Sequence, residues 1–384
     1  MVEYPLRNFS NFAAQNLGRV SNSMAGVLFD AYPHCVIILD DCRKALANLN
    51  GGADLIVTSP PYADARRKHY DSIHPDDFPA WFKTFHELFW NALKEEGSLV
   101  LNIKDKVVNG VRHRFVWHTI EMLSSLGWLC IDDYIWHKPN PMPGRWPTRL
   151  RDGWEYCFHL AKCKRPYMDQ DAVRKPIGEW VKTRLAKLSE NDLTRQNSVN
   201  KSGFGRNISR WVGQKTVLPY NVLSLPLVGV NKGHPAVYPP ELPAFFIKLL
   251  CPANGLVVDP FAGSGTTGIA AMELGKDCVL IDNNEDYAKL AFENLQNARK
   301  NATFQVELLP SGGPVGSGKP SLLEALLRRH GLTKMRLTNT TRELEARFVR
   351  LQNDDPACDV CGSITVRNST CYKCYNCGNS MGGS

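Results

Sequence analysis

Gly255-Leu256-Val257-Val258-Asp259-Pro260-Phe261-Ala262-Gly263-Ser264-Gly265-Thr266-Thr267 is an apolar strand that runs into a glycine-rich turn, with a helical segment following from Gly268 to Leu274. Glycines let a backbone approach a ligand closely and adopt positive φ. The next stretch, Lys276-Asp277-Cys278-Val279-Leu280-Ile281-Asp282, reads as a second strand that ends in an acid. Asp282 stands 17 residues after Gly265, about the offset at which a carboxylate accepts from ribose hydroxyls. Strand, turn, helix, strand and acid, in that order, describe the first unit of a nucleotide-binding α/β fold. Its ligand sits beyond the carboxyl ends of the strands.

A second stretch lies far upstream. Ala53-Asp54-Leu55-Ile56-Val57 reads as a buried strand, and Thr58-Ser59-Pro60-Pro61-Tyr62 follows it. Two prolines cannot continue a strand or enter a helix there, so the chain turns. The carbonyls of Ser59 and Pro60 are then free to face a cleft, beside a hydroxyl and the ring of Tyr62. Such a site suits a planar group carrying an NH₂, with acceptors for its hydrogens and a ring face to stack on. Taken alone, the same residues also describe a simple proline turn capped by a tyrosine.

Together the two stretches resemble the S-adenosylmethionine-dependent amino-methyltransferases of DNA. Thr58 to Tyr62 is similar to that family's catalytic motif, and Asp259 to Thr267 to its cofactor loop. The catalytic motif precedes the cofactor loop, as in the beta-class order. The resemblance spans roughly residues 36–300. It implies a Rossmann-like α/β fold, with a mainly parallel sheet flanked by helices. It implies Ser59, Pro60, Pro61 and Tyr62 as the catalytic group. Thr58, Asp259, Pro260, Phe261, Ala262, Gly263, Ser264, Gly265, Thr266 and Asp282 would then hold the cofactor. Asp41 and Cys42, after the strand Cys35 to Leu39, match the family's adenine-end position, although Asp40 stands where the family has glycine; Asp41 also reads as the N-cap of the helix Arg43 to Leu49. Within Gly233 to Pro239, His234 and Pro239 match residues that fold over the methionine end of the cofactor.

The chain has 384 residues, 43% of them hydrophobic and 22% charged, with a net charge of +8. This is the composition of a soluble globular protein. No apolar run approaches the ~20 residues that span a bilayer, and the first residues lack the pattern of a signal peptide. Of 12 cysteines, five fall within residues 358–377. The other seven are scattered and suit a reducing, cytoplasmic setting.

Asp77 to Leu93 carries Phe78, Trp81, Phe82, Phe85 and Phe89 at helical spacing, which predicts a core helix rather than a base-stacking platform. Gly97 to Ile103 and Trp128 to Trp136 read as strands around a helix at Val116 to Leu126. The alternation implies helices on both faces of a mainly parallel sheet. His137 opens a proline-rich loop that leads to a strand at Trp154 to Leu160. Between Lys138 and Lys215 there are 17 Lys or Arg against 7 Asp or Glu, a local balance of +10. Such a stretch suits phosphate contact. The resemblance places the target-recognition region here, at 162–232, inside a catalytic domain of 1–310. Three consecutive basic residues, Arg66 to Lys68, sit just past the proposed cleft.

Gly313, Gly318 and Lys319 imitate a phosphate-binding loop, but Pro320 occupies the place of the Mg²⁺-binding hydroxyl. The stretch 311–320 therefore reads as a linker, followed by a helical segment at 321–352. The final segment, 353–384, holds Cys358-x-x-Cys361-Gly362 and Cys374-x-x-Cys377-Gly378, with 12 residues between Cys361 and Cys374. This is the spacing of a zinc ribbon, with Cys358, Cys361, Cys374 and Cys377 as a closed, structural ligand set. Cys371 is an alternative to Cys377, and a redox pair is an alternative to zinc.

The expected activity is methyl transfer from S-adenosylmethionine to a base flipped out of double-stranded DNA. In the resembled family a serine at the position of Ser59 leans toward the 4-amino group of cytosine, and an aspartate toward the 6-amino group of adenine. Ser59 thus favours cytosine, with adenine as the alternative. RNA and protein-glutamine methylation, and a catalytically inactive DNA-binding protein, are more distant alternatives. The resemblance also leaves room for a restriction endonuclease partner; a membrane partner is not expected.

Overall fold

The structure, a computed structural model of the chain, describes residues 33–47, 49–63, 73–141, 143–188, 212–227, 238–298, 305–309, 322–332, 365–368, 371–374 and 380–381. His234, Cys358, Cys361, Cys377, the basic run Arg66 to Lys68 and the linker at 311–320 lie outside the described residues. The chain divides into two compact units, Met1–Thr333 and Lys334–Ser384.

The first unit runs β1 (His34–Leu39), α1 (Cys42–Leu46), β2 (Ala53–Thr58), α2 (Phe78–Lys83), α3 (His86–Ala92) and β3 (Leu93–Ile103). A small hairpin follows, β4 (Val107–Val108) and β5 (Val111–Arg112), then α4 (Phe115–Ser125), β6 (Leu129–His137) and β7 (Trp154–Ala161). After a 3-10 turn at Asp171–Val173 come β8 (Lys175–Pro176), α5 (Glu179–Ala186), β9 (Thr216–Val217), β10 (Val222–Ser224) and α6 (Glu241–Leu250). The unit ends with β11 (Leu256–Asp259), α7 (Thr266–Glu273), β12 (Asp277–Asp282), α8 (Glu285–Ala298), β13 (Gln305–Leu309) and α9 (Leu322–Arg329). In the second unit β14 (Thr365–Asn368), β15 (Cys371–Cys374) and β16 (Ser380–Met381) form an antiparallel sheet.

Nine strands make one sheet in the order β10-β6-β7-β3-β2-β11-β12-β1-β13. All neighbours are parallel except β7, which is antiparallel to both β3 and β6. The central strands are apolar on both faces, as strands buried between two helical layers must be. Alternate residues divide between two cores. Val36, Ile56, Val258, Val279 and Ile281 face the layer of α1 to α4 and α9, whereas Ile37, Leu55, Val57, Val257 and Leu280 face α6, α7 and α8. The expected α/β architecture is thus present.

Two expectations need correction. The aromatic helix is two short helices, because Thr84 turns its hydroxyl back onto the Trp81 carbonyl at 2.7 Å and competes with the helical ladder. Its phenylalanines are core all the same, with Phe78, Phe82, Phe85 and Phe89 buried. The first unit also extends past 310. Leu326 of α9 is fully buried in the core, and Arg329 and His330 both bond Asp277 at the start of β12, at 2.8 and 2.9 Å. The helix at 322–329 is therefore part of the sheet's covering layer rather than of a separate helical segment.

The region 162–232 begins at the other edge of the sheet. Because β7 runs backwards, it delivers the chain to the amino edge of the sheet. There Lys162 Nζ donates to the Leu93 carbonyl at 2.6 Å, and the Tyr167 and Asp169 amides bond the carbonyls of Glu96 and Leu249 at 3.0 and 2.7 Å. The start of the expected recognition region is thus tied to the edge opposite Tyr62. Among its described residues, Ser224 to Leu227 return to the carboxyl edge, where the Leu225 amide bonds the His137 carbonyl at 3.0 Å.

His159, in the middle of β7, is fully buried, with Nε2 2.8 Å from Ser98 Oγ and Nδ1 unpartnered among the described residues. Burial pushes its pKa down to about 4, against the opposing charge of Asp132. An unfolded histidine titrates near 6.5. Between those values the unfolded chain binds a proton that the folded chain refuses, so His159 lowers stability as pH falls through that window. Thermal denaturation of His159→Gln should show a shallower fall in stability between pH 6.5 and 4 than the unmodified chain; equal slopes would refute the assignment.

Candidate functional site

The two sequence motifs meet at Asp259. Parallel pairing of β2 with β11 sets their carboxyl ends side by side. Thr58 then donates its hydroxyl to Asp259 Oδ1 at 2.8 Å, across 201 positions of sequence. Asp259 also accepts from the Phe261 amide at 3.1 Å, the Tyr238 phenol at 3.1 Å and the Thr267 hydroxyl. Burial raises the pKa of this carboxyl above its ordinary value, and these hydrogen bonds oppose the shift. Asp259 was expected at the cofactor. Four donors of the protein bond it, so it ties β2, the glycine turn, α7 and the segment before α6 together.

The turn itself is held from outside. Gly263 and Gly265 have φ of +52° and +80°. The Gly263 amide donates to Asp282 Oδ2 at 2.8 Å, and Asp282 Oδ1 accepts from Asn284 at 2.9 Å. Each carboxylate oxygen keeps a second lone pair, so hydroxyl donors can still be accepted. Burial pushes Asp282 up to about 6; its two amide bonds pull the other way. Ser264 and Thr266 are buried with their hydroxyls 3.2 Å apart, and Asn294 Nδ2 caps the Ser264 carbonyl at 2.9 Å. Ala262 and Pro260 are buried. Phe261 packs its ring against Trp81 and Phe85, with centroids 6.0 and 5.3 Å away.

Asp41 and Cys42 arrive at the same edge through β1, where Leu39 pairs with Asp282 and the Asp40 amide bonds the Asp282 carbonyl at 3.1 Å. Asp41 caps α1 through the Arg43 amide at 2.8 Å and pairs with the Arg43 guanidinium. Burial works against ionisation of Asp41, but these bonds hold its carboxyl below the usual range. Cys42 is buried, and its thiol is raised by that burial first and by Asp41. Pro239 is buried just ahead of α6.

Tyr62 stands half-buried after the buried Pro60. Its phenol donates to Glu155 Oε2 at 2.9 Å, and the other Glu155 oxygen takes the Lys138 ammonium. Burial, then the Glu155 charge, raises the phenol well above its ordinary pKa, so it remains a neutral donor. Sequence reasoning missed Glu155, Lys138, Tyr238 and Asn102. Asn102, at the end of β3, is buried, donates Nδ2 to the Tyr156 carbonyl at 3.0 Å, and has no partner for Oδ1 among the described residues. Glu155 is a charge inside the apolar strand β7, and Lys138 stands just past the end of β6. Their pairing follows only from the β6–β7 register, which sets Glu155 opposite Trp136.

Beyond Lys138 the chain forms a loop over the same edge, closed by a 2.7 Å bond from the Lys138 amide to the Gly153 carbonyl. Arg149 stacks on Trp146 at 4.2 Å, and Leu150 is 89% exposed. Asp152 anchors the loop to the β4–β5 hairpin through Arg112 at 2.6 Å.

Comparison with known proteins gives the following. A family of DNA methylases, the N6/N4 methyltransferases, matches residues 53–293. The type II methyltransferase M.PvuII of Proteus hauseri is 28% identical over 266 residues, covering 63% of this chain and 78% of the relative. The type II methyltransferase M.SmaI of Serratia marcescens is 29% identical over 300 residues, 69% of this chain and 92% of the relative. Among solved structures, the cytosine-N4-specific PvuII DNA methyltransferase superposes with a TM-score of 0.51 over 72% of this chain and 97% of that one. At 21% identity this likeness speaks for the fold.

Gly265 offers a direct check on the turn. A Cβ there would meet Ala291 Cβ at 2.9 Å in a backbone of φ +80°, and the left-handed conformation alone costs a side chain about 1–2 kcal/mol. Gly265→Ala should lower the melting temperature by several degrees and weaken S-adenosylmethionine binding in calorimetry. In the unmodified chain that binding should weaken as pH drops through about 6, where Asp282 takes up its proton. Asp282→Asn should abolish that pH dependence.

Proposed function

This chain belongs to the N6/N4 family of DNA methylases, and from that premise we propose that it moves a methyl group from S-adenosylmethionine to the 4-amino group of a cytosine flipped out of duplex DNA. The observation that carries this reading is the Thr58–Asp259 bond, which sets the Ser59-Pro60-Pro61-Tyr62 turn and the glycine turn at one edge of one sheet. The donor set fits the cofactor. The turn from Pro260 to Thr266 offers backbone groups and two left-handed glycines for close approach. Asp282 offers carboxylate acceptors for ribose hydroxyls, and Asp41, Cys42 and Pro239 border the same edge. His234 is kept as a contact on sequence grounds.

S-adenosylmethionine supplies an electrophilic methyl on sulfur. The chain's own residues do the rest by positioning. Tyr62 presents its ring as a stacking surface for the extrahelical base. Ser59 Oγ and the Pro60 carbonyl accept from the base NH₂, which turns the nitrogen lone pair away from ring conjugation and toward the methyl. Pro61 fixes the turn that places both acceptors. No strong base is required, because the proton leaves after the nitrogen has quaternised.

Arg145, Arg149 and Arg151 on the loop over the catalytic edge, with the exposed Trp146 and Leu150, support duplex DNA as the partner. Two relatives are named as type II methyltransferases, which supports a role in restriction-modification with a cognate nuclease. No helix among the described residues is long and apolar enough to cross a membrane. Among the described residues no cluster of His, Cys, Asp or Glu is placed to hold a metal. The ligand set Cys358, Cys361, Cys374 and Cys377 is proposed from its spacing alone as a structural zinc site.

The test is to incubate the protein with methyl-labelled S-adenosylmethionine and mixed-sequence duplex DNA, digest to nucleosides and identify the labelled species by mass. Labelled 4-methylcytosine is the expected product. Labelled 6-methyladenine would overturn the base assignment and leave the transfer reaction standing. Tyr62→Ala should slow transfer by the loss of stacking, about 1–3 kcal/mol on the scale of single-strand platforms.

A further inference from the structure

A ring that serves only as a stacking surface needs no hydroxyl. Tyr62 nevertheless donates its phenol to Glu155 Oε2 at 2.9 Å, and Glu155 is in turn paired with Lys138. Glu155 is 3% exposed and Lys138 8%. Lys138 Nζ also lies 4.3 Å over the Trp136 ring. Burying such a pair is costly, and an apolar pair of the same volume would serve stability as well or better. Its retention beside the Ser-Pro-Pro-Tyr turn calls for a role other than stability.

The geometry supplies one. The three residues come from three places: Tyr62 follows β2, Lys138 follows β6, and Glu155 is the second residue of β7. The register of β6 with β7 sets Glu155 opposite Trp136. The bond from the Lys138 amide to the Gly153 carbonyl, at 2.7 Å, closes the neck of the intervening loop. Glu155 is therefore fixed by the sheet rather than by the loop's tip, and it reaches Tyr62 from a rigid base. Among the described residues, Ser59, Glu155, Cys157 and Tyr238 lie near the Tyr62 phenol. Of these only Glu155 is an anchored ionic acceptor.

We propose that Glu155, held by Lys138, is a positioning residue for methyl transfer: it fixes the Tyr62 ring in the one orientation that presents its face to the flipped base. The proposal rests on the reading of Tyr62 as the stacking surface. Lys138 and Glu155 also bracket the Arg145–Arg151 loop, so the element that meets the duplex and the ring that receives the base share one joint.

The experiment compares Tyr62→Phe, Glu155→Gln, the two combined, and Lys138→Met with Glu155→Gln, the last removing both buried charges so that folding is preserved. Single-turnover methyl transfer, and the dissociation constants for S-adenosylmethionine and duplex DNA, are measured for each. Tyr62→Phe and Glu155→Gln should each slow transfer about tenfold, with both dissociation constants unchanged, as expected for misaligned reactants. The combined variant should be no slower than the worse single one, because both break the same link. Lys138→Met with Glu155→Gln should be as slow as Glu155→Gln. Rate losses that multiply in the combined variant, or a wild-type rate in Lys138→Met with Glu155→Gln, would overturn the proposal. An independent readout is the NMR signal of ¹³C-labelled Tyr62, which should shift and broaden in Glu155→Gln without any substrate; an unchanged signal would also overturn it. Should the unmodified protein transfer no methyl to DNA while this signal responds as expected, the proposed substrate fails and the Glu155 tether stands.

Discussion

One buried carboxylate joins the two sequence motifs of the first unit. Asp259 lies at the end of the strand that begins the glycine turn, and it accepts from Thr58, Tyr238, Thr267 and its own turn's Phe261. A carboxyl so deeply buried resists ionisation, and only a full set of donors makes it tolerable there. The donors come from the end of β2, the glycine turn, the helix after it and the segment before α6. Removing any one leaves the others around a half-satisfied acceptor, a costlier state than a simple lost contact. The site is thus assembled as a unit, and its two motifs cannot shift independently.

Around that unit the chemistry is one of placement. Nothing among the described residues at this edge has the form of an activated nucleophile: burial raises the thiols of Cys42 and Cys157 rather than lowering them. Tyr62 is likewise held neutral by burial and by Glu155. Acceptors, a ring and a close backbone turn are what remain, and they suit transfer to an amine that is itself the nucleophile.

The sheet, its parallel character and the location of both motifs were legible in the sequence, because they rest on local patterns: apolar runs for doubly buried strands, glycines at left-handed positions, an acid closing the second strand. The contacts that make the site were not legible. Lys138 and Glu155 are 17 positions apart, and their pairing exists only through a strand register that composition does not encode. Tyr238 sat within a stretch already singled out, yet its phenol is directed at Asp259 rather than at a ligand, and only the packing reveals that. The aromatic helix broke where one threonine hydroxyl outcompeted the helical ladder. The helix at 322–329 was assigned to an appendage because the linker before it resembles a boundary, whereas Leu326 belongs to the main core.

The reversed strand β7 has a consequence for how such a protein can change. Its eight residues separate the two loops it connects by about 26 Å at the usual rise per residue. One loop leaves at the edge that carries Tyr62, the other at the edge pinned to Leu93, Glu96 and Leu249. Insertions, tags or fused modules at the pinned edge can be accommodated without entering the reactive face. Rewriting the loop at the other edge changes what that face meets and leaves the sheet intact. The fold therefore separates a surface open to innovation from one suited to attachment, and a single strand running the wrong way is what keeps the two apart.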